Sequence, residues 1–322
     1  MIKTIDTDII LMHGSPASGK TSLNEKYEKL GYKILSRDKR GGSMKDLLFY
    51  LMSHSKKYDK VVIDATFPTI ESREAYIDYA KSVNKTIGCH IVNTSKDDAL
   101  INAILRVHKI TGEFYFYHDE IPSKWKNSPQ IYVYPAIFSF FKTKKTPSKT
   151  EGFDKLIKTK FERTWNDVDI YKNKAVFVDL DGTIRETKND DKFPVELNNQ
   201  YILPNSEEIL KEYKSKGYKI IGVSNQSGVN KGQFIDDVDD IIMETNNMID
   251  NIIEDYRYCP HTMPTQICTC RKPQSGIGLY FREKYKLDLS QCIMVGDRTT
   301  DKTFAKRLGI EYHDHSTFFK RN

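Results

Sequence analysis

Apolar positions along the chain fall into short β-branched runs separated by stretches with helical spacing. The opening run, Asp8-Ile9-Ile10-Leu11-Met12, leads into a glycine-rich loop. Apolar residues then recur at Leu23, Tyr27 and Leu30, which share one helical face, and Gly31 stops the pattern. Strand-like runs return at 32–35, 61–63 and 87–92, with helical stretches between them. A second series starts at KAVFVDL and continues through KIIGVSN and CIMVGD. Strands alternating with helices predict parallel sheets covered on both faces, so the expected class is α/β. We place a boundary near 165–172, giving domains 1–168 and 169–322. The stretch KTKKTPSKTEGFDKLIKTK, at 142–160, is Lys-rich and Pro-interrupted. It reads either as a solvated loop or as a basic surface that tracks a phosphodiester backbone.

Composition narrows the class without fixing the function. A chain of 322 residues suits two domains, and 39% hydrophobic with 29% charged residues is a globular balance. No apolar run of about 18 residues is present, so no membrane span or membrane partner is expected. The N-terminus lacks a secretory pattern, so a cytoplasmic location is expected, with a nuclear one also compatible. The net charge of +6 permits a polyanionic partner but does not require one. Of five cysteines, three fall at 259, 268 and 270 beside His261, a spacing that suits a metal in a reducing compartment better than disulfides.

Two groups of residues carry candidate chemistry. The first is GSPASGKT, which fits G-x-x-x-x-G-K-[ST] from Gly14 to Thr21. Gly14, Ser18 and Gly19 belong to a loop whose backbone N–H groups face phosphate oxygens; Lys20 reaches the terminal phosphates and Thr21 can hold Mg²⁺. This predicts a P-loop NTPase sheet that binds ATP. One strand later, LSRDKRGG offers Asp38 as a base for an acceptor hydroxyl. The next, VVIDATFPTIESR, offers Thr66 for phosphate or for Asp38. Its Arg73 either pairs with an acceptor phosphate or caps its helix.

GSPASGKT, SRD and DATFPTIESR, in that order and approximate spacing, resemble the polynucleotide 5′-kinase family over residues 8–162. EGF at 151–153 resembles a segment near the end of that kinase domain. The resemblance implies that Asp38 activates a nucleic acid 5′-hydroxyl and that Arg106 is a lid arginine embracing the ATP phosphates. The chain departs from the pattern at Ala65 or Phe67, where relatives often carry a polar residue, and at Gly41, where some members carry a basic one. Phe114, Tyr115, Phe116, Tyr117, Trp125, Tyr132 and Tyr134 lie near the lid and are read either as core or as platforms for stacking bases.

The second group begins with VFVDLDGTIR. Asp179 and Asp181 end a strand and, two residues apart, face the same side. Asp179 is the expected nucleophile, forming an aspartyl-phosphate, and Asp181 the acid–base group. Ser224 and Asn225 end the next strand as donors to phosphate oxygens, and Lys272 supplies a cation. Asp297 ends a third strand as a Mg²⁺ ligand with Asp179 and Asp181, and Asp301 follows four residues on. These four pieces resemble the haloacid dehalogenase phosphatase superfamily from about residue 172 onward, which implies a Rossmann-like second domain. Between them, Cys259, His261, Cys268 and Cys270 form C-x-H-x6-C-x-C, a set suited to structural Zn²⁺. The clip runs into Arg271 and Lys272, so a bound zinc would aim the phosphate-binding cations. It resembles the loop of heptose bisphosphate and histidinol-phosphate phosphatases.

Together these readings point to a bifunctional end-healing enzyme, a polynucleotide 5′-hydroxyl kinase and 3′-phosphatase acting on DNA or RNA ends, with a ligase or repair protein as a further partner. The alternatives are a small-molecule kinase joined to a sugar-phosphate or bisphosphate phosphatase, and a non-enzymatic nucleic acid binding protein.

Overall fold

The computed structural model describes residues 3–165, 169–189, 191–262 and 267–320. The chain divides into two compact units, Met1–Ile110 with Pro122–Arg163, and Thr111–Ile121 with Thr164–Asn322. Residues 166–168, at the expected boundary, lie outside the described residues. The second unit takes in 111–121, a stretch that the sequence reading left within the first domain.

The first unit holds a five-stranded sheet made of β1 (Ile9–His13), β2 (Lys33–Ser36), β3 (Val61–Asp64), β4 (Ile87–Asn93) and β5 (Lys155–Lys160), in the order β2-β3-β1-β4-β5. All pairings are parallel, with Met12 and Ser36 both opposite Asp64. β1 is buried along its whole length, which is why it reads as a continuous apolar run. The helix Lys20–Lys29 buries Leu23 and Tyr27 but leaves Leu30 exposed. β5 corrects the loop reading of 142–160: it is an edge strand with intermediate and exposed residues, so its lysines face water while Leu156 packs on the core.

The second unit holds β6 (Lys174–Val178), β9 (Tyr218–Asn225), β10 (Asp255–Cys259), β11 (Ile293–Gly296) and β12 (Glu311–Asp314), again all parallel, in the order β10-β9-β6-β11-β12. A two-stranded ribbon of β7 (Arg185–Glu186) and β8 (Tyr201–Ile202) follows β6. A core of Val176, Val178, Ile220, Ile242, Ile293 and Val295 lies beneath the sheet. Because the strands are parallel, their C-terminal ends fall on one edge, where α/β sheets place ligands. Among the described residues no helix is long and apolar enough to cross a membrane.

Candidate active sites

In the first unit, β1 delivers the chain into residues 14–19. A Cβ at Gly14 would lie 2.8 Å from Ser18 Oγ and 3.2 Å from the Val92 carbonyl, so only glycine fits there. Gly19 has φ +94° and caps the helix that begins at Lys20. Lys20 Nζ donates to the carbonyls of Gly14 (2.9 Å) and Ser15 (2.7 Å), folding the side chain back over the loop. Burial pushes Lys20 down to about 8, against the pull of Asp64 and Asp38. Ser18 is buried and its Oγ has no hydrogen-bond partner.

A cavity of about 550 Å³ brings Ser18, Gly19, Lys20, Thr21, Asp38, Thr66 and Arg106 together. The Asp38 side chain is 61% exposed. Arg106 is half-buried, with Nε and Nη2 unpaired, and burial lowers its pKa. Leu105, Tyr132 and Val133 give the cavity an apolar wall. The sequence reading gave no role to two lining residues, Asp64 and Arg37. The signal for Asp64 was present, since it is the carboxylate that ends the apolar run VVID.

Arg73 is corrected. Its side chain is fully buried and bidentate to Glu151 (2.7 and 2.9 Å), and Nη1 donates to the carbonyls of Phe67 and Lys145. With its donors used internally, it is a structural cation rather than an acceptor-phosphate ligand. Of the aromatic stretch, Phe116 and Tyr134 are buried, and Phe114 and Phe116 pack edge-on against Tyr280 in the second unit.

In the second unit Asp179 follows β6, and its backbone N–H donates to Val295 (3.0 Å). Lys272 Nζ lies 2.8 Å from Asp179 and 2.8 Å from Asp301. Burial pushes Asp179 up to about 6, opposed by Lys272 and reinforced by Asp301. Burial works against the Lys272 charge, but the two carboxylates more than offset it and hold its pKa above the usual value. Asp179, Asp297 and Asp301 offer carboxylate oxygens within 4.8 Å of one another. Three carboxylate oxygens gathered this closely, two of them shared with Lys272, form a donor set that fits a hard divalent cation. Gly182 makes room for this cluster, since a Cβ there would lie 2.7 Å from Asp297 Oδ2.

Two expectations change here. The Asp181 side chain does not join the carboxylate cluster: Oδ1 accepts from Arg185 Nε (2.9 Å) and Oδ2 from Gln226 Nε2 (2.6 Å). Asp301 takes its place, and Arg185 and Gln226 are site residues that sequence reasoning missed. Where the sequence reading has Asn225 as a phosphate donor, its amide clasps the Lys272 backbone, donating to the carbonyl (3.0 Å) and accepting from the N–H (2.9 Å). Ser224 is buried and receives a hydrogen bond from Gln226 (2.9 Å). A cavity of about 260 Å³, lined by Asp181, Arg185, Lys192, Phe193 and Arg298, adjoins this site.

Cys259, at the end of β10, meets His261, Cys268 and Cys270, all buried and with one ligand atom each within 4.8 Å of the others. Thr269, between two of the cysteines, donates from its N–H (2.7 Å) and Oγ1 (3.1 Å) to the Phe116 carbonyl. Tyr117 bridges Cys268, so residues 111–121 form a strap on this clip. Arg271 donates to the His261 carbonyl (3.3 Å), binding the clip to the segment that carries Lys272.

Residues 174–319 match the family described as polynucleotide kinase 3 phosphatase. A probable D-glycero-D-manno-heptose-1,7-bisphosphate 7-phosphatase of Thermoplasma volcanium is 35% identical over 148 residues, 43% of this chain and 96% of that protein. The D-glycero-beta-D-manno-heptose-1,7-bisphosphate 7-phosphatase of Haemophilus influenzae is 34% identical over 142 residues, 40% of this chain and 73% of that protein. Among solved structures, the D,D-heptose 1.7-bisphosphate phosphatase from B. bronchiseptica, complexed with magnesium and phosphate, is 24% identical with a TM-score of 0.39, covering 44% of this chain and 78% of that one.

Proposed function

Because the chain belongs, through residues 174–319, to the haloacid dehalogenase phosphatases, we propose that its second unit removes 3′-phosphates from nucleic acid ends and that its first unit phosphorylates 5′-hydroxyls. Asp179 attacks the phosphorus of the substrate ester. The bond from phosphorus to the 3′-oxygen breaks, a bond from phosphorus to the Asp179 carboxylate forms, and Asp181 gives its proton to the departing oxygen. Water then attacks phosphorus and passes its proton to Asp181, and the aspartyl bond breaks to release phosphate. Lys272 offsets the charge that Asp179 and the phosphoryl group share. Asp179, Asp297 and Asp301 would hold Mg²⁺, which would supply further positive charge against the phosphoryl group. Cys259, His261, Cys268 and Cys270 would hold Zn²⁺, which would fix the loop that presents Lys272.

In the first unit, residues 14–21 form a P-loop for ATP, with Lys20 and Arg106 against the phosphates and Thr21 and Asp64 as the groups able to hold Mg²⁺. Asp38 takes the proton of the acceptor hydroxyl as its oxygen bonds to the γ-phosphorus and ADP leaves. The resulting 5′-phosphate and 3′-hydroxyl ends suit a ligase or repair partner.

The observation that carries the reading is the pair of phosphate sites: a cavity with Lys20, Asp38 and Arg106 and a Lys272–Asp179 contact of 2.8 Å. A second reading, a sugar bisphosphate phosphatase joined to a small-molecule kinase, is favoured by the 35% identity to the Thermoplasma protein. Asp179→Asn and Lys20→Ala test the first reading on oligonucleotides with 5′-hydroxyl or 3′-phosphate ends. Each change should silence one reaction and spare the other; loss of both reactions in a folded variant would overturn the two-site reading.

A further inference from the structure

Asp181 is held by a side chain that the ordinary acid–base account does not require. Arg185 is fully buried, four residues on from Asp181, with its Nε 2.9 Å from Oδ1. Its Nη1 is anchored from behind by Gln200 Oε1 (3.2 Å), Thr245 Oγ1 (2.5 Å) and the Ile241 carbonyl (3.3 Å). Gln200 is itself tied to the Leu197 and Ile241 carbonyls. Burying a guanidinium is costly, and an apolar residue of similar volume would fill the space at less cost. A lysine would supply charge but not the planar fork that spans Asp181 and the Nη1 anchors together.

We propose, resting on the phosphatase reading, that Arg185 is a positioning residue for Asp181. Arg185 can only donate, and it holds Oδ1. Gln226 donates through Nε2 to Oδ2 (2.6 Å), so the carboxylate is gripped at both oxygens. Arg185, locked from behind by its Nη1 anchors, fixes the orientation in which Asp181 meets the leaving oxygen.

Leaving-group dependence separates this role from a merely structural one. An alkyl ester, such as a 3′-phosphorylated oligonucleotide, needs its departing oxygen protonated; p-nitrophenyl phosphate does not. Arg185→Met should lower kcat about a hundredfold on the alkyl ester and less than about tenfold on the aryl ester, with KM unchanged. Arg185→Lys should recover part of the loss. Asp181→Asn should show the same selectivity. Should Arg185→Met not fold, Thr245→Val, which removes one anchor, should show the selectivity in weaker form. Equal losses on both esters for the Arg185 and Thr245 variants, with Asp181→Asn still selective, would overturn the inference alone. Equal losses for Asp181→Asn would overturn the acid step of the phosphatase reading, and the inference with it.

Discussion

The two candidate sites both sit at the ends of parallel strands, yet they differ in how much charge they bury. In the first unit the Asp38 side chain is 61% exposed, Lys20 rests on backbone carbonyls, and the cavity is open at about 550 Å³. In the second, the Asp179 side chain is 9% exposed and already paired with Lys272. On the proposed reading a nucleotide would bring its own charge and its own metal to the first site, so that site could remain open and solvated. A protein carboxylate that must attack a phosphorus has to be desolvated and held in advance, and the surrounding ion pairs carry that cost. The second site should therefore be coupled to fold stability, and the first should not.

The largest expected effect follows from that coupling. Lys272→Met should cost the phosphatase about a thousandfold or more in rate and should lower fold stability by about 3–5 kcal/mol, because it leaves Asp179 and Asp301 buried together. Glu151→Ala should destabilise the first unit by a similar amount, about 3–5 kcal/mol, by orphaning Arg73. Urea melts would read both, and an increase in acceptor KM at unchanged stability would instead restore a substrate role for Arg73. Asp38→Asn should lower the kinase rate by about 10²–10⁴ and leave the melt unmoved. Asn225→Ala should be the smallest, about tenfold in phosphatase rate, since it loosens only the clasp on the Lys272 backbone.

A pH series sharpens the same contrast. In metal-free protein burial holds Asp179 at about 6 against an ordinary 3.8. The folded state then binds its proton more tightly than the unfolded chain does. That contribution to stability is complete below 3.8 and is lost as pH rises through about 6. Mg²⁺ should restore the loss above pH 6, which thermal melts with and without the ion would show.

Much of each site was legible because strands buried on both faces read as unbroken apolar runs, and the first polar residue after each run marks the strand tip. VFVDLD, KIIGVSN and CIMVGD placed Asp179, Ser224 and Asp297 on this basis. The rest depended on partners far away in sequence. Arg73 meets Glu151 from 78 residues away, and nothing local distinguishes a buried arginine from a phosphate ligand. Asn225 sits at the predicted strand end, but its amide is taken by the backbone of a residue 47 positions on. β5 hides because an edge strand can alternate lysine with leucine and isoleucine and so imitate a charged loop. The strap at 111–121 carries no sign in its own sequence that it belongs to the second unit.

The most direct measurement is an end-group analysis of one oligonucleotide bearing both a 5′-hydroxyl and a 3′-phosphate, incubated with the protein, ATP and Mg²⁺. The account predicts a strand with a 5′-phosphate and a 3′-hydroxyl. A strand returned with both ends unchanged, while sugars are phosphorylated and sugar bisphosphates hydrolysed in parallel reactions, would contradict it.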